Sequence, residues 1–475
     1  MKLWNIIWIG VVLVCGVGCS DFLDVQPKDK QSEEQLFSTR FYTAVNGIYN
    51  KVASTALYGK NLSYELVDVI SKRYAPLQSN TYLTALSTFD YTEASVQTGL
   101  SNTWTEAYNT ILNCNVVLDN LEKSDGVLLP AEYRMLKGEM LALRAFLHFD
   151  MLRLFGPVYK LHPEMESIPY NESSRVSALP LLTADSVLHE KILRDLDEAE
   201  RMLVDSDPVI EGGRMASQEG DEDVYLRYRQ LRMNYYAVLG LKARICLYAK
   251  DVTAAYGAAN EVILAQQQKG LFPWVKTADI TTTEANLRDR TFSSEHLFAF
   301  NTTKLEEYIK GYFREASLPL MERLMPGELY EADDYRTALY ETYSGFANVL
   351  TKFWQMDKAY VQGQGYVTPK RNRMPAIRIA EMYYIAAEAL KESNIGEALE
   401  MLNTLRVHRG LMKLENLDKD QLQEELGREY YREFIGEGQV FFYHKRMNTS
   451  IIATANAVYV LPMPDDEIDL GQREQ

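Results

Sequence analysis

Residues 135–157, MLKGEMLALRAFLHFDMLRLFGP, decide the fold. Leu136, Met140, Leu143, Leu147, Met151 and Leu154 recur at steps of three and four, which stacks them on one side of a 3.6-residue helix. The run then meets Gly156-Pro157, a pair that ends a helix because Pro has no N–H to continue the ladder. The spacing predicts a helix over 135–155.

The same period extends outward over 104–121, 187–203, 235–249, 254–267, 377–391 and 395–407. Many of these segments are consecutive and separated by short turns, which makes antiparallel helix pairs. A loose internal repeat agrees: with 242–260 laid on 385–403, Ala243, Leu247, Ala255 and Asn260 match Ala386, Leu390, Ala398 and Asn403. Small residues there let two helices approach closely, as the alanines of tetratricopeptide repeats do. Strand-like alternation is scarce. Val458 to Leu461 reads as a short strand before Pro462, and His296 to Phe300 is ambiguous. The fold class is mainly α, with tetratricopeptide-like helix pairs, long irregular loops and few short strands.

The N-terminus fixes the compartment. Met1-Lys2 is a short basic start, and the apolar run over 3–17, at about 15 residues, falls short of the ~20 needed to span a bilayer. It reads as a signal peptide over 1–18. Gly16-Val17-Gly18-Cys19-Ser20-Asp21 resembles a bacterial lipobox, with Gly16 where Leu is usual. The resemblance implies cleavage before Cys19 and lipidation of its thiol, each buried CH₂ adding about 0.8 kcal/mol of anchoring. Residues 19–35, polar and containing Pro27, suit a tether, and the folded body over 36–475 has the length of one large or two modest domains.

A formal charge of −16 argues against nucleic acid or anionic headgroups as partners, since both require a cationic face. Cys114 and Cys246 lie in helix-patterned apolar stretches and read as buried free thiols.

Catalytic signals are poor. The chain has no His-Glu-x-x-His helix, no Gly-x-Ser-x-Gly elbow, no Walker loop and no dinucleotide fingerprint. His148 and His444 stand alone and read as structural. Asp333-Asp334 and Asp465-Asp466 are sequence neighbours, which rarely bracket a sugar bond, and read as solvated surface. The acidic run Glu219 to Asp223 lacks EF-hand spacing. No cofactor, metal or catalytic residue is expected.

Tyrosine outnumbers phenylalanine, 31 to 17, and such an excess suits surfaces where an apolar face coexists with a hydrogen-bonding tip. Long irregular stretches at 71–102, 205–223, 269–295 and 301–373 carry Tyr74, Tyr82, Phe89, Tyr91, Trp274, Tyr308, Tyr312, Trp354, Tyr360 and Tyr366. That is not the composition of disorder. Tyr74, Tyr82, Trp274, Trp354, Tyr360 and Tyr366 are the candidate ligand contacts, because aromatic rings pack on the C–H faces of sugars.

Several motifs in order resemble the SusD/RagB family of nutrient-binding outer-membrane lipoproteins. They are Cys19-Ser20-Asp21-Phe22-Leu23-Asp24, the Arg144-Ala145-Phe146 helix ending in Phe155-Gly156, Arg378 to Ala389, Leu402-Asn403-Thr404-Leu405-Arg406, Arg432 to Gly438, and Leu461-Pro462-Met463-Pro464. Two departures stand out. Val440 and Tyr443 replace the family's Arg and Asp, read here as the loss of a helix-surface ion pair, and the C-terminus lacks the usual Asn-Pro-rich tail. The resemblance implies a single α-rich domain, lipid-anchored at the cell surface, that sits on a SusC-like TonB-dependent importer in the outer membrane. It also implies a non-enzymatic role, delivery of oligosaccharides or, alternatively, of peptides. A surface glycoside hydrolase is the reading from another class.

Overall fold

The computed structural model describes residues 37, 41–75, 80–124, 126–211, 224–314, 321–322, 329–343, 346–362, 365–367, 370–451 and 458–471. The signal segment, Cys19, the tether and the acidic run at 219–223 lie outside the described residues.

Helices follow the apolar periodicity. In chain order they are α1 Phe41–Val52, α2 Leu66–Ile70, α3 Thr81–Ser87, α4 Ala94–Leu121, α5 Pro130–Phe155, α6 Leu193–Leu203, α7 Tyr235–Tyr248, α8 Val252–Lys269, α9 Leu305–Ile309, α10 Ile379–Leu390, α11 Ile395–His408, α12 Lys419–Glu433, α13 Gln439–Met447 and α14 Asp465–Leu470. Helix α4 packs on α5 and α5 on α6, while α7–α8 and α10–α11 form two hairpins joined through α8 and α10. Ala243, Ala255, Ala386 and Ala398, the small residues of the repeat, are all fully buried. No helix among the described residues is long and apolar enough to cross a membrane.

The quoted stretch is α5. It starts five residues earlier than its stripe because Pro130 fits the first turn and the Glu132 carboxylate accepts the Leu129 N–H at 2.8 Å. From Leu141 to Phe155 every residue is buried, so this part of the helix has no solvent face and its polar groups must find partners inside. They do. Arg144 forks onto Asp195 at 2.7 and 2.9 Å and reaches Asn115 at 2.8 Å. His148 Nδ1 donates to the Arg144 carbonyl (2.8 Å) and its Nε2 accepts the Asn171 N–H (3.0 Å). Burial holds this imidazole down to about 3, so it stays neutral and structural. Gly156 ends the helix in extended conformation; a Cβ there would meet the Leu152 carbonyl at 2.6 Å. Cys114 and Cys246 are buried free thiols, as read from the sequence.

Other expectations change. Helix α4 begins ten residues before Trp104, because the Glu93 carboxylate accepts the Ser95 and Val96 N–H groups (2.8 and 3.2 Å) and opens a helix inside a stretch read as irregular. Residues 187–203 run as a π-helical turn, Val187–Ile192, into α6. Val458 to Leu461 form no strand: the Val458 carbonyl accepts the Tyr91 hydroxyl (3.0 Å) and the Leu461 N–H goes to the Leu154 carbonyl at the end of α5 (3.1 Å). Those backbone groups are spent on a side chain and a helix end rather than on a ladder.

The strands are β1 Tyr74–Ala75, β2 Glu166–Ile168, β3 Leu182–Thr183, β4 His296–Asn301, β5 Met321–Glu322, β6 Tyr340–Tyr343, β7 Phe346–Leu350, β8 Ala359–Val361, β9 Gly365–Val367 and β10 Arg373–Arg378. Their ladders run β1-β5-β7-β6, β10-β4, β2-β3 and β8-β9. The ambiguous His296 segment is thus a buried strand, and the described residues within 301–373 include several short antiparallel strands beside short helical turns.

A buried ionic network ties α12 to this region. Glu433 accepts Arg336 (2.9 Å), Arg378 (2.6 Å) and Arg409 (2.7 Å), and all four side chains are fully buried. Glu429 takes Arg336 (2.8 Å) and Arg432 (2.7 Å). Asp334 is buried, forking onto Arg336 at 2.7 Å, and is not the solvated surface expected of the Asp333-Asp334 pair. Val440 and Tyr443 also differ from expectation. Both are buried, Tyr443 with its ring 4.5 Å from that of Tyr430, so their α13 face packs inward and offers no place for a surface ion pair.

Gly438, at φ +71°, turns the chain from α12 into α13; a Cβ would sit 2.6 Å from the Leu62 carbonyl. Gly438→Ala is expected to cost about 2 kcal/mol, from the left-handed backbone and the collision together. Gly270, at φ +68° with open space around it, serves as the control. Urea midpoints of the two alanine variants measure the difference, and equal losses would show that the close approach to Leu62 carries no strain.

Candidate ligand-binding site

Glu65, in the turn before α2, is fully buried and gathers groups from three parts of the chain. The Tyr82 hydroxyl on α3 reaches it at a long 3.5 Å, the Tyr312 hydroxyl donates to its other oxygen, and Lys60 Nζ bonds it at 2.8 Å. Burial pushes this carboxyl above its usual range, and Lys60 and the Tyr82 hydrogen bond oppose that push. Both tyrosine rings are half-buried, so the carboxylate fixes their tips while part of each ring remains at the surface.

The floor beneath is aromatic. Tyr64, fully buried, meets Tyr312 and Phe313 edge-on at 5.8 and 5.4 Å. Trp354, half-buried, donates its indole N–H to the Phe313 carbonyl at 3.1 Å. Tyr308, one helical turn before Tyr312, is also half-buried and acts electrostatically on Tyr64. Tyr82 lies against α4 at Gly99, where a Cβ would come within 3.2 Å of its hydroxyl.

Of the six candidate aromatics, Tyr82 and Trp354 therefore meet on this platform. Tyr74 does not: it is fully buried, its hydroxyl on Asp68 (3.3 Å) and its ring 6.2 Å from Phe313, so it supports the floor from within. Asp68 in turn accepts the Gly436 and Gly438 N–H groups at 2.6 and 3.1 Å, and burial pushes its carboxyl up to about 7. Trp274 is on the scaffold, stacked on His408 at 4.8 Å and packed against Tyr383 at 5.1 Å, which staples its loop to α10 and α11. Tyr360 and Tyr366 are register partners in the β8–β9 ladder, and Tyr360 is 66% exposed. Arg371 pairs with Glu306 of α9 (3.1 Å) and with Asp357 (3.7 Å), tying the chain on both sides of this hairpin to the helix that carries Tyr308.

Sequence reasoning did not single out Glu65, Tyr308 or Tyr312 as candidate contacts, although Tyr308 and Tyr312 stood among the loop aromatics. The four-residue step from Tyr308 to Tyr312 is a same-face signal that was available. Glu65 carries none, because its partner Tyr312 is 247 residues away.

The architecture, paired helices carrying a tyrosine-lined platform, defines an α-rich scaffold of the kind that holds binding surfaces on loops. Residues 21–211 match the SusD-like family described as starch-binding and associating with the outer membrane, and 276–459 match the SusD family. Together these matches span most of the chain, which belongs to the SusD/RagB family. A SusD superfamily protein of Bacteroides vulgatus superposes with a TM-score of 0.71 at 21% identity, covering 92% of this chain and 98% of that one. One from Bacteroides thetaiotaomicron gives 0.70 at 21% identity, covering 91% and 97%. The SusD-like protein P25 of Formosa agariphila is 27% identical over 167 residues, 33% of this chain and 31% of that relative's length.

Proposed function

We propose that this protein captures nutrient oligosaccharides at the outer face of the outer membrane and hands them, uncleaved, to a SusC-like TonB-dependent importer. The observation that carries the proposal is the clamp at Glu65, which holds Tyr82 and Tyr312 by their hydroxyls and leaves parts of their rings at the surface. Rings fixed before the ligand arrives lose little entropy on binding, and sugar C–H faces pack on them. Trp354 flanks Tyr312, and Tyr360, exposed on the β8–β9 hairpin, is a further aromatic within reach of solvent. Family membership favours the outer-membrane setting and the importer partner, and a lipid on Cys19 would supply the tether.

The test is calorimetric titration of the purified chain with defined oligosaccharides and with peptide digests, products being followed by chromatography. Oligosaccharide binding with no cleavage is expected. Binding of peptides alone reassigns the ligand class, and steady cleavage that disappears on changing one carboxylate overturns the non-enzymatic reading.

A further inference from the structure

We propose that the oligosaccharide this platform takes is anionic, its acidic substituent seated in a cationic cleft beside Trp354. The inference rests on oligosaccharide capture at the tyrosine platform and names the chemical class of the ligand. Arg288, Arg290, Lys352, Lys370 and Arg373 converge with Trp354 on one narrow cleft, in a chain whose formal charge is −16. Such a gathering of like charge is unfavourable unless countercharge is supplied.

The protein supplies part of it. Arg288 and Arg290 share a single oxygen of Glu341, each at 3.1 Å. Lys352, fully buried, bonds Glu437 at 2.5 Å and donates to the Ile435 carbonyl at 2.9 Å, and Arg378 draws on the same carboxylate at 2.9 Å. Asp289 acts on Arg373 from a distance while its oxygens accept the Ser293 N–H and hydroxyl at 3.0 and 2.7 Å. Burial holds Arg290, Lys352 and Arg373 below their ordinary values, the direction expected where buried cations are under-compensated.

Shape narrows the ligand. The cleft has room for about one water-sized group, so it admits a single oxygen of an acidic substituent, end-on, and not a sugar ring. Guanidinium groups bond carboxylate and sulfate oxygens more strongly than neutral hydroxyls. Trp354 belongs to both places, lining the cleft while its N–H bonds the Phe313 carbonyl next to Tyr312. A sugar ring resting on the aromatic platform thus has the cleft at its flank.

The experiment titrates the purified chain with oligogalacturonides, chondroitin sulfate oligosaccharides, maltooligosaccharides and xylooligosaccharides. Binding is expected for the carboxylate or the sulfate arm, the stronger one naming the substituent, and not for the neutral sugars. Arg373→Gln and Lys370→Gln should each weaken anionic binding about tenfold, as should raising NaCl from about 50 to 300 mM. Lys370 is exposed, so its variant keeps the test open if Arg373→Gln fails to fold. Neutral sugars binding as tightly as acidic ones, or acidic binding indifferent to both substitutions, overturns the inference and leaves oligosaccharide capture standing. No binding by any sugar removes the capture reading on which it rests.

Discussion

Glu433→Ala is expected to be the most damaging single substitution in the scaffold, lowering folding stability by about 3–5 kcal/mol because it strands buried guanidinium groups. Arg336, Arg378 and Arg409 all end on this carboxylate with no exposure to water, and their positive charge holds it well below the usual carboxylate range. In a chain this long, with unfolding entropy near 2 cal/mol/K per residue, the loss corresponds to a fall in Tm of about 3–6 °C. Removing the exposed Lys413–Glu400 pair, at 2.9 Å, should change stability by less than about 1 kcal/mol. A Glu433→Ala variant no less stable than that surface control would show that the network contributes nothing.

The same network sets an acid limit. Glu429 is lowered to about 2, because Arg336 and Arg432 outweigh the effect of burial. A carboxyl with a depressed folded value contributes stability that is complete above its unfolded value and lost as pH falls through the folded one. The contribution of Glu429, about 3 kcal/mol, is therefore present above pH 4.5 and disappears between 4.5 and 2. Denaturation midpoints across that window read it, and a Glu429→Gln variant should flatten the dependence.

Replacing both Tyr82 and Tyr312 by Ala is expected to weaken oligosaccharide binding by about 30- to 100-fold, each ring contributing about 1–1.5 kcal/mol of contact. Tyr82→Phe and Tyr312→Phe keep the rings and lose the hydroxyls that Glu65 holds. Those single variants should lose about three- to tenfold, through looser positioning more than lost surface. Neither ring lies deep in the core, so Tm should move by no more than about 2 °C. An unchanged Kd in the double alanine variant, with the protein folded, would remove the platform from consideration.

The tyrosine pair also illustrates what sequence carries and what it does not. Helical periodicity made α5, α7, α8, α10 and α11 readable, because a buried stripe is written in consecutive residues at fixed steps. The alanines of the two hairpins were readable for the same reason. Starts were not: α4 begins at a Glu cap and α5 at a Pro turn, signals of one or two residues that apolar spacing does not contain. Irregular segments offer no period, so Tyr74 and Trp274 looked like Tyr82 and Trp354 although Tyr74 lies inside the packing and the half-buried Trp274 stacks on the helical scaffold.

Local order along the chain was thus enough to determine a mainly helical body of paired helices, since helix formation and its apolar face depend on neighbours three and four residues apart. Which aromatics reach the surface, that Val440 and Tyr443 face inward, and that Glu65 joins Tyr82 to Tyr312 were decided only when distant segments packed. Burial and hydrogen bonding across 247 residues are properties of that packing, and no local pattern encodes them.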